Sequence, residues 1–274
     1  MRETDVVKLE DIARQLRIEI VEMIYAAGDG HPGPALGIAD LITVLYFGWM
    51  HIDEKNPDWS QRDRFILSKG HACPALYAAL SMKGFFPKEE LKTLRKFDSL
   101  LQGHPYSGKT PGVDATSGSL GNGLAIGIGM DIARKKMGEK WKTFVVLGDG
   151  EMQEGICWEA AATAAARGCD GLVAIVDCNG LQSGGKVEDI GGKSQLPEKW
   201  RSFGWETVCI DGNDIKRIRK ALEASKNAKT PFVIIAKTNK GAGVSFIENN
   251  NDWHKKTPNK EEREKALLEL GKTV

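Results

Sequence analysis

The sequence of 274 residues lacks any long apolar run. A helix that crosses a bilayer needs about 20 consecutive apolar residues, and no segment approaches that length. The polar residues 1–5 are not followed by the apolar core of a signal peptide. We therefore expect a cytoplasmic protein with no membrane partner.

Cysteine is scarce, and neither sign of charge dominates. The five cysteines form no Cys-x-x-Cys pair, so we expect small buried residues rather than disulfides or zinc ligands. The 38 Lys and Arg residues balance 37 Asp and Glu residues, and this net charge of +1 gives no reason to expect a nucleic-acid partner. Without internal repeats, low-complexity tracts or linkers, residues 1–274 are interpreted as one domain.

Helical periodicity dominates the first half of the chain. Leu9, Leu16 and Ile20 lie on the apolar stripe of a first helix that Gly28-Asp29-Gly30 ends. A long run of Gly, Pro, Asp and Ser predicts a loop of the kind that often carries function in compact domains. The predicted helices are 6–27, 38–49, 72–82, 87–97 and 120–137, with a turn at 31–34, a strand at 64–68 and the loop at 102–118.

The second half alternates short apolar runs with helical segments. This alternation predicts an open, mainly parallel sheet with right-handed crossovers and helices on both faces, which is an α/β fold. The charged tail, 260–272, is predicted to form a surface helix. The predicted strands are 143–147, 172–177, 205–210 and 231–237, and the predicted helices are 155–167, 194–203 and 214–227.

Polar residues follow two of the predicted strands. Gly148-Asp149-Gly150 comes directly after 143–147, and Asn179 comes after the run 172–176. Open α/β sheets bind ligands at the carboxyl ends of their strands. A carboxylate, an amide oxygen and a main-chain carbonyl suit Mg²⁺ or Ca²⁺ bound together with a diphosphate. A Gly-Asp-Gly turn alone is common, and its place between strand and helix is what favours the metal-diphosphate interpretation over a simple turn.

Four of the five histidines lie among turn-forming residues. They are His31, His71, His104 and His254, whereas His51 lies between apolar residues and is interpreted as structural. A single histidine is more often structural than functional. Four in such turns favour proton transfer near neutral pH, for which the ordinary pKa of histidine is suited.

These segments resemble the motifs of transketolases. Leu147–Gly155 together with Asp177–Leu181 resembles the family's diphosphate-binding segment, and five further signatures follow the family's order between Ala13 and His254. The resemblance implies the thiamine-diphosphate-binding fold of the diphosphate-type domain. The five signatures are Gly30-His31-Pro32-Gly33, Ser68-Lys69-Gly70-His71-Ala72, Gly103-His104-Pro105, Gly118-Ser119-Leu120-Gly121-Asn122-Gly123 and Trp253-His254.

The resemblance also implies roles for individual residues. Mg²⁺ or Ca²⁺ would be held by Asp149, Asn179 and the carbonyl of Leu181, and the histidines would face the reacting carbon and the sugar hydroxyls. Glu154 would help to link cofactor sites across a subunit interface and completes the catalytic set with His31, His71, His104 and His254. Contacts to thiamine diphosphate are expected from His71, Gly118, Leu120, Gly148, Asp149, Gly150, Glu151, Asn179, Leu181, Lys240 and His254.

One of these assignments has a plain alternative. Lys240-Gly241-Ala242-Gly243 resembles a family loop that closes over the diphosphate. A glycine-rich turn in the left-handed conformation, with an exposed lysine, is equally compatible with the sequence.

The resemblance covers only the first part of a complete transketolase. The pyrimidine-binding and carboxyl-terminal domains are expected on a separate chain. Only the α2β2 assembly of the two chains is expected to be active on sugar phosphates. The alternative is that this chain is a truncated transketolase. The candidate interface is 120–130 with the helix from Gly155. The rival functions are an enzyme similar to 1-deoxyxylulose-5-phosphate synthase, a split ketolase for an unusual, branched sugar, and a non-catalytic partner subunit.

Overall fold

A five-stranded parallel sheet forms the centre of the computed structural model, which describes residues 3–193 and 195–273. The strands are β1 (Arg64–Leu67), β2 (Thr143–Gly148), β3 (Leu172–Cys178), β6 (Glu206–Asp211) and β7 (Phe232–Lys237), in the order β1-β2-β3-β7-β6. All five predicted strands are confirmed to within a residue at each end. The α/β class is confirmed with them.

Alternate strand residues supply two separate cores, one on each face of the sheet. Phe144, Val146 and Ile175 pack on one face, and Val145 and Ala174 pack on the other. This follows from the two-residue period of a strand buried on both sides. The first face is covered by α1 (Glu3–Ala27), α3 (Ala39–Gly48), α4 (Cys73–Lys83), α9 (Ile215–Ser225) and α10 (Lys260–Glu269), and the second by α5 (Asn122–Met137), α6 (Gly155–Ala166) and α8 (Leu196–Ser202).

Most predicted helices are confirmed, including the one in the charged tail. The helix predicted at 194–203 is α8, whose first predicted residue, Ser194, lies outside the described residues. The segment after β3 holds small elements that were not predicted: the hairpin of β4 (Leu181–Gln182) and β5 (Gly185–Lys186), and the short helix α7 (Val187–Gly191). Both lie in a segment too short to show a period.

Two predictions in the first half are wrong. The segment 87–97 is not an α-helix: a 3-10 helix covers Lys88–Thr93, and the chain then turns through Arg95 and Asp98, with φ of 62° and 58°. The expected turn at 31–34 instead opens the helix α2 (Pro32–Gly37). Proline is tolerated in the first turn of a helix because no N–H is needed there.

The cysteines are free, and one of them departs from the prediction. Cys73, Cys157 and Cys169 are buried and Cys178 is partly buried, but Cys209 is exposed. Cys209 lies on the edge strand β6, which among the described strands pairs with β7 alone. Among the described helices none combines the length and apolar character that crossing a membrane requires.

Candidate active site

Asp149 and the turn after β3 meet because β2 and β3 are neighbours in register. Gly148 pairs with Asp177, and Asp149 N donates to Asp177 O at 3.1 Å. The Asp149 carboxylate accepts from Gly150 N at 2.8 Å and from Gly180 N at 2.6 Å. Burial, assisted by the nearby charge of Asp177, raises the pKa of Asp149 to about 6. A cation bound beside this carboxylate would stabilise its ionised form.

Asn179 is held by its own turn and by Asp177. Its Oδ1 accepts from Leu181 N at 3.0 Å, and its Nδ2 donates to Asp177 Oδ2 at 2.8 Å. Asp177 is fully buried and also accepts from Lys69 Nζ and Thr238 Oγ1. The amide of Asn179 thus has a fixed orientation, because it is hydrogen-bonded to Asp177 of the buried Lys69–Asp177 ion pair.

The oxygen atoms at this edge of the sheet suit a hard cation that is coordinated by the protein and by a diphosphate together. In residues 3–193 and 195–273, no group of three or more His, Cys, Asp and Glu side chains forms a metal site. The oxygens available at this edge are the carboxylate of Asp149, the side-chain amide oxygen of Asn179 and the main-chain carbonyl of Leu181. These oxygens fit Mg²⁺ or Ca²⁺ with the remaining positions left to other oxygen donors.

Glu151 connects three of the loops around the cleft. One of its oxygens accepts from Gly121 N at 2.7 Å and from Ser68 Oγ, and the other accepts from Gly148 N at 2.9 Å. Its side chain is 3% exposed. Both carboxylate oxygens of Glu151 are hydrogen-bonded inside the protein. Glu151 therefore holds together the turn at Gly121, the turn 68–72 that carries His71, and the turn at Asp149.

Three of the four histidines predicted to be functional converge. The ring centroids of His31 and His71 are 5.3 Å apart, those of His31 and His254 are 5.7 Å apart, and those of His71 and His254 are 5.2 Å apart. His104 is exposed and lies beside the turns at Gly70 and Gly118, whose added Cβ atoms would be 3.1 Å and 3.8 Å from its ring. The fourth imidazole therefore lies at the rim of the cluster.

The clustered imidazoles are neutral at physiological pH. Burial is the main cause, and it lowers the pKa of His31 to about 4 and that of His254 to about 3. The pKa of His71 falls further, through burial and the charge of Lys69. The pKa of His104 is lowered by partial desolvation of its ring and by the charge of Arg95. His31 Nδ1 is buried without a hydrogen-bond partner among the described residues, which leaves a free polar atom within the cluster.

Lys240 is buried, so the alternative of an exposed lysine is wrong. Its side chain is 1% exposed, and its Nζ donates to Asn251 Oδ1 at 3.0 Å and to His254 Nδ1 at 2.9 Å. A neutral His254 that accepts at Nδ1 carries its proton on Nε2. Burial, with the charge of Lys69, lowers the pKa of Lys240 to about 8. The glycine turn is real, since Gly241 has φ of 84°.

Most of these residues line one cleft of about 240 Å³, whereas His31 and His104 lie outside its lining. Leu120 and Glu154 lie at the exposed side of the cleft, and Gly118 lies in the exposed turn that leads to Leu120. His51 is remote from the cleft: it contacts Asp63 near the start of β1, at the other end of the sheet. Five further residues line the cleft and were not predicted from the sequence: Pro34, Lys69, Gln153, Gln182 and Ser183. Lys69 lies within the motif Ser68-Lys69-Gly70-His71-Ala72, so its position next to a predicted site residue could have indicated its place in the cleft. The lining residues that the sequence did predict are His71, Leu120, Gly148, Asp149, Gly150, Glu151, Glu154, Asn179, Leu181, Lys240 and His254.

The fold and the cleft belong to a known class of protein. The sequence profile described as "Transketolase, thiamine diphosphate binding domain" matches residues 8–272, and the chain belongs to this family. The family resemblance of the motifs is thereby confirmed.

Several relatives are individual subunits of about the same length. The chain is 42% identical to an apulose-4-phosphate transketolase subunit of Actinobacillus succinogenes, over 96% of each chain. It is 40% identical to a 6-deoxy-6-sulfo-D-fructose transketolase subunit of Clostridium sp., over 97% of each chain.

Longer transketolases match over part of their length. The human transketolase is 38% identical over 96% of this chain and 42% of its own. The solved transketolase of Campylobacter jejuni superposes with a TM-score of 0.91 at 33% identity, over 96% of this chain and 43% of its own. The chain therefore spans less than half the length of these proteins.

Proposed function

We propose that this chain is the diphosphate-binding subunit of a two-subunit transketolase. The enzyme would transfer a two-carbon ketol unit from a ketose phosphate to an aldose acceptor. The observation that carries the proposal is the convergence of His31, His71 and His254 beside Asp149 and Asn179 at one edge of the sheet. Membership of the transketolase family supports it.

The cleft offers groups suited to each part of a metal-bound diphosphate. Asp149, Asn179 and the Leu181 carbonyl would hold Mg²⁺ or Ca²⁺. Gly150 lets the main chain approach closely, and Lys240 and His71 would lie beside the diphosphate oxygens. When bound, thiamine diphosphate supplies the carbanion chemistry on which ketol transfer depends.

The neutral histidines suit hydrogen bonding and proton transfer to sugar oxygens. A neutral imidazole has one donor and one acceptor nitrogen, so it can take a proton from one hydroxyl while it orients another. His254 would offer its Nε2–H, because Nδ1 is occupied by Lys240. His31 has a buried Nδ1 with no partner inside the described chain. Substrate hydroxyls would complete these pairs.

The ketose donor carries a negatively charged group, and two kinds of sugar fit the proposed reaction. The pentose phosphate substrates of a general transketolase are one possibility. The names of two relatives, which refer to apulose 4-phosphate and to 6-deoxy-6-sulfo-D-fructose, favour an unusual, branched or sulfonated sugar as the second. All of these sugars carry a phosphate or sulfonate that a second chain could bind.

A complementary chain is proposed to complete the site in an α2β2 assembly. The relatives that are named as single transketolase subunits support a separate partner. Leu120, Ile126 and Met137 expose 36%, 37% and 65% of their side chains along α5 and the turn before it, although they are large apolar residues. Glu154, at the exposed start of α6, would lie within the same interface.

Calorimetry of the purified chain and of the complex tests the cofactor site. Asp149→Asn should abolish the Mg²⁺-dependent binding of thiamine diphosphate, because the amide removes the negative charge that holds the cation. Asp189→Asn, an exposed change on α7, is the matched control and should bind as the unaltered chain does. Undiminished binding by Asp149→Asn would refute the assignment.

A ketol-transfer assay tests the activity. The chain alone should be inactive, and the reconstituted complex should transfer a two-carbon unit from at least one of three donors: a pentulose phosphate, a branched ketose phosphate and a sulfo-ketose. Robust transfer by the chain alone, with no partner detectable by mass spectrometry, would contradict the two-subunit proposal.

A further inference from the structure

Arg95 has an unusual backbone conformation close to the histidine cluster. Its φ is 62°, in the left-handed region that an arginine rarely adopts, and its N–H donates to Leu101 O at 2.9 Å. Such a conformation is strained for a residue other than glycine, and it persists where surrounding contacts enforce it. The turn that it creates returns the chain towards the loop that carries His104.

The guanidinium of Arg95 joins two loops that each carry a histidine. Its Nη1 donates to Asp29 Oδ2 at 3.0 Å, and its Nη2 donates to Gly103 O at 3.3 Å. Asp29 is two residues before His31, and Gly103 immediately precedes His104. The rigid fork of arginine suits two acceptors held at a fixed distance from each other.

The same loops are restrained from other directions. A Cβ at Gly103 would be 3.0 Å from Arg95 Cζ, so the guanidinium lies close against the backbone of this loop. Cys73 Sγ donates to Gly103 O at 3.2 Å, which ties the loop to α4. Lys255 Nζ lies 3.9 Å from Asp29 Oδ1, and Lys255 follows His254 directly. Asp29 therefore connects Arg95 with the turn of a third histidine.

We propose that Arg95 and Asp29 form a clamp that sets the separation of His31 and His104. They are positioning residues: they act through the two histidine loops, and Arg95 additionally places its positive charge near both imidazoles. The ion pair is partly exposed, with 23% of Arg95 and 45% of Asp29 accessible. Its energetic value as a surface pair is small. Its importance lies in geometry, and the catalytic part of the inference rests on the proposed function.

Imidazole resonances in the full chain test the clamp without any assay of activity. Arg95→Met keeps most of the side-chain volume but removes both donors, and Asp29→Asn keeps the volume but removes the charge. Each variant should shift the ¹H–¹³C signals of His31 and His104, and the double variant should add little to either. Lys109→Met, which removes the exposed pair with Asp98 in the same loop, is the matched control and should shift neither histidine.

Kinetics of the complex supply the second readout. We expect Arg95→Met and Asp29→Asn each to lower kcat about tenfold or more, with a smaller change in KM. The effects of the two substitutions on kcat should not add when they are combined. The unfolding midpoint should be nearly unchanged in each variant. Arg95→Lys should recover part of kcat. If Arg95→Met folds poorly, Asp29→Asn alone decides the question.

Unshifted His31 and His104 signals in Asp29→Asn, or fully additive effects on kcat, would overturn the clamp. A failure of the proposed function is distinguishable from this result. Coupled shifts of the two histidines in a chain whose unaltered complex transfers no ketol unit would support the clamp and refute the activity.

Discussion

Lys69 and Asp177 form an ion pair from which water is almost excluded, since 2% of the lysine side chain and none of the aspartate side chain is exposed. The aspartate also accepts from Asn179 and Thr238, so its oxygens are fully used inside the protein. Breaking such a pair leaves one buried charge without a partner, which is far more costly than removing both charges together.

Asp177→Asn should therefore destabilise the chain by about 3–5 kcal/mol, the usual loss when one member of a buried pair is removed. Lys69→Met combined with Asp177→Leu should lose less than Asp177→Asn alone, because neither charge remains. Urea unfolding of the three proteins measures the difference. A double variant less stable than Asp177→Asn would show that packing and not charge dominates at this position.

Individual histidines are expected to matter for turnover more than for stability. His31→Ala and His104→Ala should each lower turnover of the complex roughly a hundredfold or more, as expected for lost proton transfer or orientation. Neither side chain fills the apolar core. Steady-state kinetics and circular dichroism check both statements, and His51→Ala serves as a control at the opposite end of the sheet. Largely unfolded variants would favour a structural role for these histidines.

At the scale of elements, the junction of α5 and α6 depends on a glycine. Gly121 precedes α5 with φ of 82°, and a Cβ there would overlap Ile156 and lie 3.1 Å from Cys157 Sγ. Gly138 follows the same helix with φ of 71°, but a Cβ there would meet nothing within 4 Å. The two glycines thus share backbone strain and differ in the space around them.

Gly138→Ala should cost about 1–2 kcal/mol, the penalty for a left-handed alanine. Gly121→Ala should cost about 1–3 kcal/mol more, because overpacking is added to the same strain. Thermal and urea unfolding of the two variants gives the comparison directly. Equal losses would mean that α6 moves away without cost and that the close contact is unimportant.

At the scale of the whole molecule, the neutral histidine cluster makes stability depend on pH. Burial lowers the pKa of His31 to about 4 and of His254 to about 3, whereas histidine in an unfolded chain has a pKa near about 6.5. Between about pH 6.5 and pH 4 the unfolded chain binds protons that the folded chain does not. The contribution of these histidines to the free energy of unfolding therefore decreases as the pH falls through this window, and it opposes the smaller contribution of Asp149, whose pKa is raised.

Urea unfolding at several values from about pH 7.5 to pH 4.5 should show this decrease. The double variant His31→Gln, His254→Gln should have a shallower dependence, because two of the proton-binding groups are gone. An unaltered slope in the double variant would place the pH dependence elsewhere in the chain.

Much of the fold follows from local sequence patterns. The strands were predictable as short apolar runs, and the helices α1, α5, α6 and α9 were predictable as the longer helical segments before and between those runs. The segment 87–97 has a similar composition but is not an α-helix, since Arg95 and Asp98 adopt left-handed conformations. Those conformations depend on contacts with residues distant in the sequence.

The site was predictable as a set of residue types, and its arrangement was not. Asp149 and Asn179 could be placed together from sequence because neighbouring parallel strands end at the same edge. The burial of Lys240, the separation of His104 from the other imidazoles, and the Lys69–Asp177 and Arg95–Asp29 pairs were decided only by the tertiary structure. Each depends on which loops pack against one another, and that is fixed by the burial of apolar faces across the whole sheet and not by the residues beside each group.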